Sequence, residues 1–399
     1  MTEQTEKSRK PLLRSLAATA LGCSLALGSS LAAAADPVKI GVLLPYTGTF
    51  ARLGESITNG MKLAVEQAGN KLGGRDVEYV VVDSEAKPAK APENMNKLVV
   101  GERVDLVVGP VHSGVAMGML KVAREENALM IIPNAGLNVA TGKLCAPNVF
   151  RTSFSAWQTT YPMGQIAYDR GYRKVVTMAW NYSFGKESLA AFEESFKAAG
   201  GEVIKQILTP FPKVEFQSYL TDIASIKPDA VFVFYAGGGA VKFVKDYAAA
   251  GLKGNIPLLG TGFLTDGTLP AQGDAAEGIL TTLHYGDNLE NAADKAFRMA
   301  YEKAYGKQPD IYAVQGYDAG KVLVKALQAT AGNTERDALI AAMEQVRLND
   351  SPRGPWHFSK AHNPVQNMYL REVKNGMNDV IAVAAEALED PAPGCAMAN

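Results

Sequence analysis

Short apolar, β-branched runs alternate along most of the chain with longer stretches whose apolar positions recur at helical spacing. VKIGVLL at residues 38–44 is followed by GESITNGMKLAVEQAGN, VEYVVVD by APENMNKLVV, and VDLVVG by SGVAMGMLKVAREEN, after which comes LMIIP. Continuous apolar strands separated by amphipathic helices predict a parallel sheet covered on both faces. After NVFRTSFS the alternation restarts: KVVTMAW, a helix from about Lys186, EVIKQIL, a short helix, DAVFVFY, GGAVKFVKDYAAAG and IPLLGT. Two α/β units of similar size therefore follow one another. A third section predicts two or three helices between about Ala292 and Val346, and then GPWHFS and NMYLREVKNG read as antiparallel strands. No repeat or low-complexity linker separates the units, so the crossings between them are read as short and ordered.

The length of 399 residues fits two cored domains. Hydrophobic residues at 47% and charged residues at 20% exclude a disordered chain and a membrane bundle. A formal charge of −1 leaves no basic field for nucleic acid or an anionic membrane. The first 35 residues differ in kind. Lys7, Arg9, Lys10 and Arg14 precede SLAATALGCSLALGSSLAAAA, which reads as a secretory signal cut between Ala35 and Asp36. The alternatives are a retained anchor, or a lipoprotein signal modified at Cys23, where Ala20 stands in place of the usual leucine. Without Cys23, two cysteines remain in an exported chain, Cys145 and Cys395. They form a disulfide holding the tail PAPGCAMAN or stay as two thiols; an oxidising compartment favours the disulfide.

In open parallel sheets ligands sit beyond the carboxyl ends of the strands. The loops there are PYTGTFARLGE, DSEAKP, GPVHSG and PNAGLN in the first unit, and WNYSFGKE, YAGGGA and GTGFLTDG in the second. His112 and Ser113 are adjacent, but a hydrolase elbow needs glycine two residues either side of the serine, and Val111 and Val115 stand there. Ser113 reads instead as the N-cap of the following helix, whose free N–H groups suit a carboxylate. The four histidines are scattered and no cysteine cluster exists, so no metal site is expected. No phosphate-binding loop or dinucleotide fingerprint is present, and no cofactor is expected.

KIGVLLPYTGTFARLGESITNGMKLAVEQAG, VDLVVGPVHSGVA, GDAAEGILTTLHY and YAVQGYDAGKVLVKAL resemble the type I periplasmic solute-binding proteins of ATP-driven (ABC) importers. That family includes binders of branched-chain amino acids and of aromatic acids, and the resemblance spans the mature chain in order. It implies two doubly wound parallel-sheet α/β domains joined by a three-crossing hinge. The expected lobes are residues 36–152 with about 285–352, and 153–284 with about 353–399. Hinge closure on ligand is a known motion of periplasmic binding proteins. By the same resemblance Phe50, Arg52 and Leu53 lie at the cleft, and Ser113, Ala135 and Gly136 hold a ligand carboxylate. Tyr182, Phe184, Gly238, Gly262 and Phe263 contribute from the second domain, with Trp157 as a further wall.

One position departs from the amino-acid binders. They present an acid to the ligand ammonium where this chain has Gly262, with Asp266 four residues on as a substitute. Arg52 adds a cation able to pair with a carboxylate. The balance favours an aromatic or apolar acid over leucine, isoleucine or valine, and a monomeric transport receptor that docks on a membrane permease. A branched-chain amino-acid binder, a sensor domain for a membrane signalling partner, and an exported enzyme using Ser113 and His112 are the alternatives.

Overall fold

The computed structural model describes residues 36–213 and 215–398; the proposed signal peptide with Cys23 lies outside the described residues. The first α/β domain is built from β1 (Val38–Leu44), α1 (Ala51–Gln67), β2 (Lys71–Leu72), β3 (Arg75–Asp83), α2 (Ala91–Asn96), β4 (Leu106–Val108), α3 (Ser113–Glu125), β5 (Met130–Ile132) and β6 (Val149–Arg151). Its six strands lie in the order β2-β3-β1-β4-β5-β6. β1 pairs in parallel with β3 on one side and β4 on the other, so Val38, Ile40 and Val42 are sealed between neighbours and fully buried. On α1, Leu53, Ile57, Met61 and Ala64 recur at helical spacing and face the core.

The second domain follows as α4 (Ala156–Asp169), β7 (Lys174–Trp180), α5 (Ser183–Ala199), β8 (Glu202–Thr209), α6 (Gln217–Ile226), β9 (Ala230–Phe234), α7 (Gly237–Ala249), β10 (Leu258–Thr261), α8 (Leu269–Gln272) and β11 (Leu280–Leu283). Three helices come next, α9 (Ala292–Tyr305), α10 (Ile311–Ala329) and α11 (Arg336–Glu344), then β12 (Arg347–Leu348), β13 (Trp356–Phe358), β14 (Pro364–Lys374) and β15 (Met377–Leu388). The second sheet runs β12-β13-β14-β11-β10-β9-β7-β8, with β15 on the free side of β14. β7 to β11 are parallel, and β14 is antiparallel to β11, β13 and β15.

These elements match the predicted alternation where it names a segment. α5 begins at Ser183 rather than about Lys186, and the pattern gives no sign of β2, β6, α4, α8, β11, β12 or β15. The β15 segment MNDVIAVAAEAL is rich in alanine, a poor strand former, and becomes a strand by pairing with β14.

α10 returns the chain to the first domain. A Cβ at Gly60 would lie 1.9 Å from the Ala313 carbonyl oxygen, and one at Gly316 1.9 Å from that of Ile57. The two helices therefore touch backbone to backbone, which only glycine permits. Three segments link the domains, and buried arginines tie them. Arg353, between β12 and β13, donates to the carbonyls of Thr152 (2.7 Å) and Ser153 (3.1 Å), between β6 and α4, and pairs with Asp318 of α10 at 2.9 Å. Arg371 of β14 donates to the Tyr285 carbonyl, in the link after β11, at 2.9 Å. The Cys145 and Cys395 sulfurs meet at bonding distance, with Cα atoms 5.5 Å apart.

Candidate ligand-binding cleft

The carboxyl ends of both parallel sheets point at one another, so the loops that follow the strands meet across the interdomain cleft. β1 delivers Phe50, β4 delivers Val111 and His112, and β5 delivers Asn134 and Gly136. From the other side β7 delivers Tyr182 and Phe184, β9 ends in Phe234, and β10 delivers Phe263. The rings interlock. His112 stacks on Tyr182 at 4.3 Å and 20°, Phe50 meets Phe211 at 5.5 Å and the edge of Trp180 at 6.0 Å, and Phe184 packs on Phe234 at 4.5 Å. Phe154, in the first interdomain link, sits 4.8 Å from Phe263 and 6.0 Å from Phe184.

Most of these groups border a narrow cavity between the domains, of about 20 Å³ to the centre of a water-sized sphere, well below the usual range for ligand pockets. Of the residues expected from the sequence, Phe50, Leu53, Gly136, Tyr182, Phe184 and Phe263 line it, together with Val111, Asn134, Phe154, Phe234, Ala236 and Tyr312. Among the described residues, none of the lining side chains is charged.

The remaining expected residues lie elsewhere. Arg52 is exposed and borders a separate, open groove with Asp266, Asp310 and Arg298, because the first turn of α1 points it outward. Trp157 stacks on Tyr161 at 4.5 Å along α4. The Ala135 N–H is used by the Pro110 carbonyl (3.0 Å), and its own carbonyl accepts from Arg151. Gly238 lies against the Thr49 hydroxyl at the domain contact. At Gly262 any side chain would strike Arg371, whose Nη2 lies 2.4 Å from a Cβ there and donates to the Gly262 carbonyl at 3.1 Å.

Ser113 is the first residue inside α3 rather than its N-cap. The cap is His112, whose backbone is extended and whose Nδ1 accepts from the Gly114 N–H at 3.0 Å. Burial pushes the His112 imidazole down to about 4, so the ring is a neutral acceptor already in use and not a base paired with Ser113. The Ser113 hydroxyl is buried without a partner. Beside it the first-turn N–H groups of α3 have no partner inside the helix and carry its positive dipole end.

Asp266 is the nearest acid to the position where amino-acid binders place theirs. It pairs with Arg371 at 2.6 Å, and both side chains are buried. An ammonium in the cleft would find that carboxylate already neutralised. The α3 N-terminus and the Ser113 hydroxyl come two residues after Val111, which lines the cavity. Among the described residues no group of three His, Cys, Asp or Glu is placed to hold a metal ion.

Among the lining residues, Val111, Asn134 and Ala236 lie in the expected loops but were not singled out, while Phe154, Phe234 and Tyr312 lie outside those loops. Phe234 ends a strand whose other residues are core, and Phe154 lies in a link, so neither carries a local loop signature. Tyr312 opens the segment YAVQGYDAGKVLVKAL, whose family resemblance alone gives its tyrosine no place in the cleft.

A periplasmic binding protein family model matches residues 37–378. A solute-binding protein of an ABC transporter from R. palustris, solved in complex with benzoate, is 50% identical with a TM-score of 0.88, covering 90% of this chain and 99% of that one. A second, from Rhodopseudomonas palustris BisB5 in complex with 3,4-dihydroxybenzoic acid, is 33% identical with a TM-score of 0.85, covering 89% and 99%. Leu/Ile/Val-binding protein homolog 6 of Brucella melitensis is 34% identical over 368 residues, 90% of this chain and 93% of that protein. With two parallel-sheet domains facing one cleft and matches that run nearly end to end, the chain belongs to the periplasmic binding proteins, among the solute-binding proteins of ABC transporters.

Proposed function

We propose that this protein is exported to the periplasm, captures a small aromatic carboxylic acid between its domains and hands it to an ABC permease without altering it. Residues 36–152 with about 285–352 close as one body on residues 153–284 with about 353–399. The protein works as a monomer, with Cys145 and Cys395 joined.

The observation that carries the ligand class is the uncharged, ring-walled cavity beside an Asp266 already bound to Arg371. A flat apolar ring buries its faces there, while its carboxylate takes the first-turn N–H groups of α3 other than that of Gly114, which His112 holds, together with the Ser113 hydroxyl and the Gly136 backbone. The similarity to proteins solved with benzoate and 3,4-dihydroxybenzoic acid supports the same class. Leucine fits the reading poorly, because burying its ammonium without a counter-charge costs several kcal/mol.

Calorimetry on ligand-stripped protein tests the proposal. Benzoate should bind at least about tenfold tighter than leucine, isoleucine or valine, a difference of about 1.4 kcal/mol. Micromolar binding of a branched-chain amino acid with no response to benzoate would overturn it.

A further inference from the structure

Among the described residues three arginines are buried to 2% exposure or less: Arg151, Arg353 and Arg371. Arg353 pairs with Asp318, and Arg371 with Asp266. Arg151, the last residue of β6, pairs with no carboxylate among the described residues. Its Nη1 donates to the carbonyls of Ala135 and Phe154 (3.1 Å), and its Nη2 to the Leu137 carbonyl (2.6 Å) and the Thr141 hydroxyl (3.1 Å). Its Nε has no partner. Burial pulls the guanidinium down to about 10, against the opposing pull of Asp390 and Glu187, so it stays cationic near neutral pH. A buried cation without an ion pair is destabilising, and the other two arginines avoid that state.

The peptides that Arg151 holds run past the cavity. In a trans peptide the C=O and the N–H point in opposite directions, and both of these peptides are trans. With the Ala135 and Leu137 carbonyls facing Arg151, the N–H groups of Gly136 and Asn138 face away from it. The Asn138 N–H ends on a Glu187 carboxyl oxygen at 2.9 Å. The Gly136 N–H has no partner among the described residues, although Gly136 is buried and lines the cavity. Buried N–H groups are almost always paired. One guanidinium therefore stands behind two peptides, and one of them already delivers its N–H to a carboxyl group.

We propose that Arg151 is the positioning residue for the ligand carboxylate: it fixes and polarises the Ala135–Gly136 peptide, so that the Gly136 N–H and the positive charge behind it select a carboxylate over a neutral group of the same shape. The inference rests on the aromatic-acid reading above, and adds to it a residue outside the cavity wall that sets the charge preference.

Calorimetry with benzoate and its neutral isostere benzamide, on wild type, Arg151→Gln and Arg151→Lys, tests it. Wild type should bind benzoate at least about tenfold tighter than benzamide, the least that a charge one peptide away from a buried carboxylate supplies. Arg151→Gln keeps a donor and loses the charge, so the ratio should fall about tenfold, with the loss carried by benzoate. Arg151→Lys returns the charge and should recover the ratio to within about threefold of wild type. In wild type labelled with 15N-glycine, the Gly136 amide proton, assigned by its loss in Gly136→Ala, should move downfield with benzoate and less with benzamide.

Equal affinity of wild type for the two ligands, or an unmoved Gly136 resonance, overturns the proposal however the variants fold. So does an unchanged ratio in Arg151→Gln, including an equal loss of both ligands, which is what a purely structural arginine gives. A ratio that stays collapsed in Arg151→Lys does the same. Failure of wild type to bind benzoate would instead sink the aromatic-acid reading, which keeps the two outcomes separate.

Discussion

Gly136→Ala puts one methyl group where the two domains meet. Gly136 does not have a positive φ, so alanine is allowed by the backbone. The added Cβ would lie 2.3 and 2.7 Å from two atoms of the Phe184 ring and 2.8 Å from the edge of Phe154, where ordinary contact begins at 3.4 Å. The Phe184 ring must therefore retreat by about an ångström, and Phe234 stands behind it at 4.5 Å with Phe263 at 5.8 Å. Relief comes chiefly from the second domain backing away. Overpacking of this kind destabilises by about 1–3 kcal/mol. Because the closed form carries nearly all of that penalty, it should appear as a loss of ligand affinity of about 5- to 150-fold. The melting temperature of ligand-free protein should hardly move. Calorimetry with benzoate measures the affinity, and small-angle scattering measures the contraction on ligand addition, which should be reduced in the variant. Phe184→Leu in the Gly136→Ala background should recover part of both. Wild-type affinity and full contraction in Gly136→Ala would refute the idea that these two residues touch in the bound form.

Two further outcomes concern stability. Exported protein, denatured without reductant, should show no free thiol, and reduction should lower stability by roughly 2–4 kcal/mol, since the cross-link spans 250 residues; two titratable thiols would contradict the pairing. Burial raises the Glu187 carboxyl to about 7, against the opposing pull of the Asn138 N–H it accepts at 2.9 Å and of Arg151. A carboxyl raised in the folded state binds more protons there than in the unfolded chain, so its contribution is full below about 4.5 and lost as pH rises through 7. Glu187→Gln, which cannot ionise, should therefore match wild type in melting temperature near pH 4.5 and gain on it up to pH 7. A constant difference across that interval would show that Glu187 is not held in a raised state.

The architecture was legible because it is written in short-range pattern. Continuous apolar strands such as VKIGVLL and DAVFVFY are buried on both faces, and amphipathic helices such as α1 carry one apolar stripe; both patterns follow from burial and need no knowledge of neighbours. The rule that ligands sit beyond strand carboxyl ends located the facing loops, and the family resemblance singled out within them Phe50, Gly136, Tyr182, Phe184 and Phe263, which line the cavity.

The pattern could not say which loop side chains turn inward. Arg52 and Leu53 are neighbours on α1, yet one faces solvent and the other the cavity, because successive helical residues point about 100° apart and the helix's docking on α10 chooses the face. Likewise nothing near Ser113 announces that His112 supplies the cap, since that depends on where the backbone leaves its extended course.

What the sequence by itself determined is two parallel-sheet domains, their order and the loops that face one another. The tertiary structure alone decided the chemistry of the cleft. Arg371 is 105 residues from Asp266 along the chain, yet its pairing there removes the free acid an amino acid would need, and Tyr312 joins a wall whose other rings come from segments far from it in sequence. Charge neutralisation and wall-building of this kind act through distances of a few ångströms, and those distances are set by how domains pack, not by spacing along the chain.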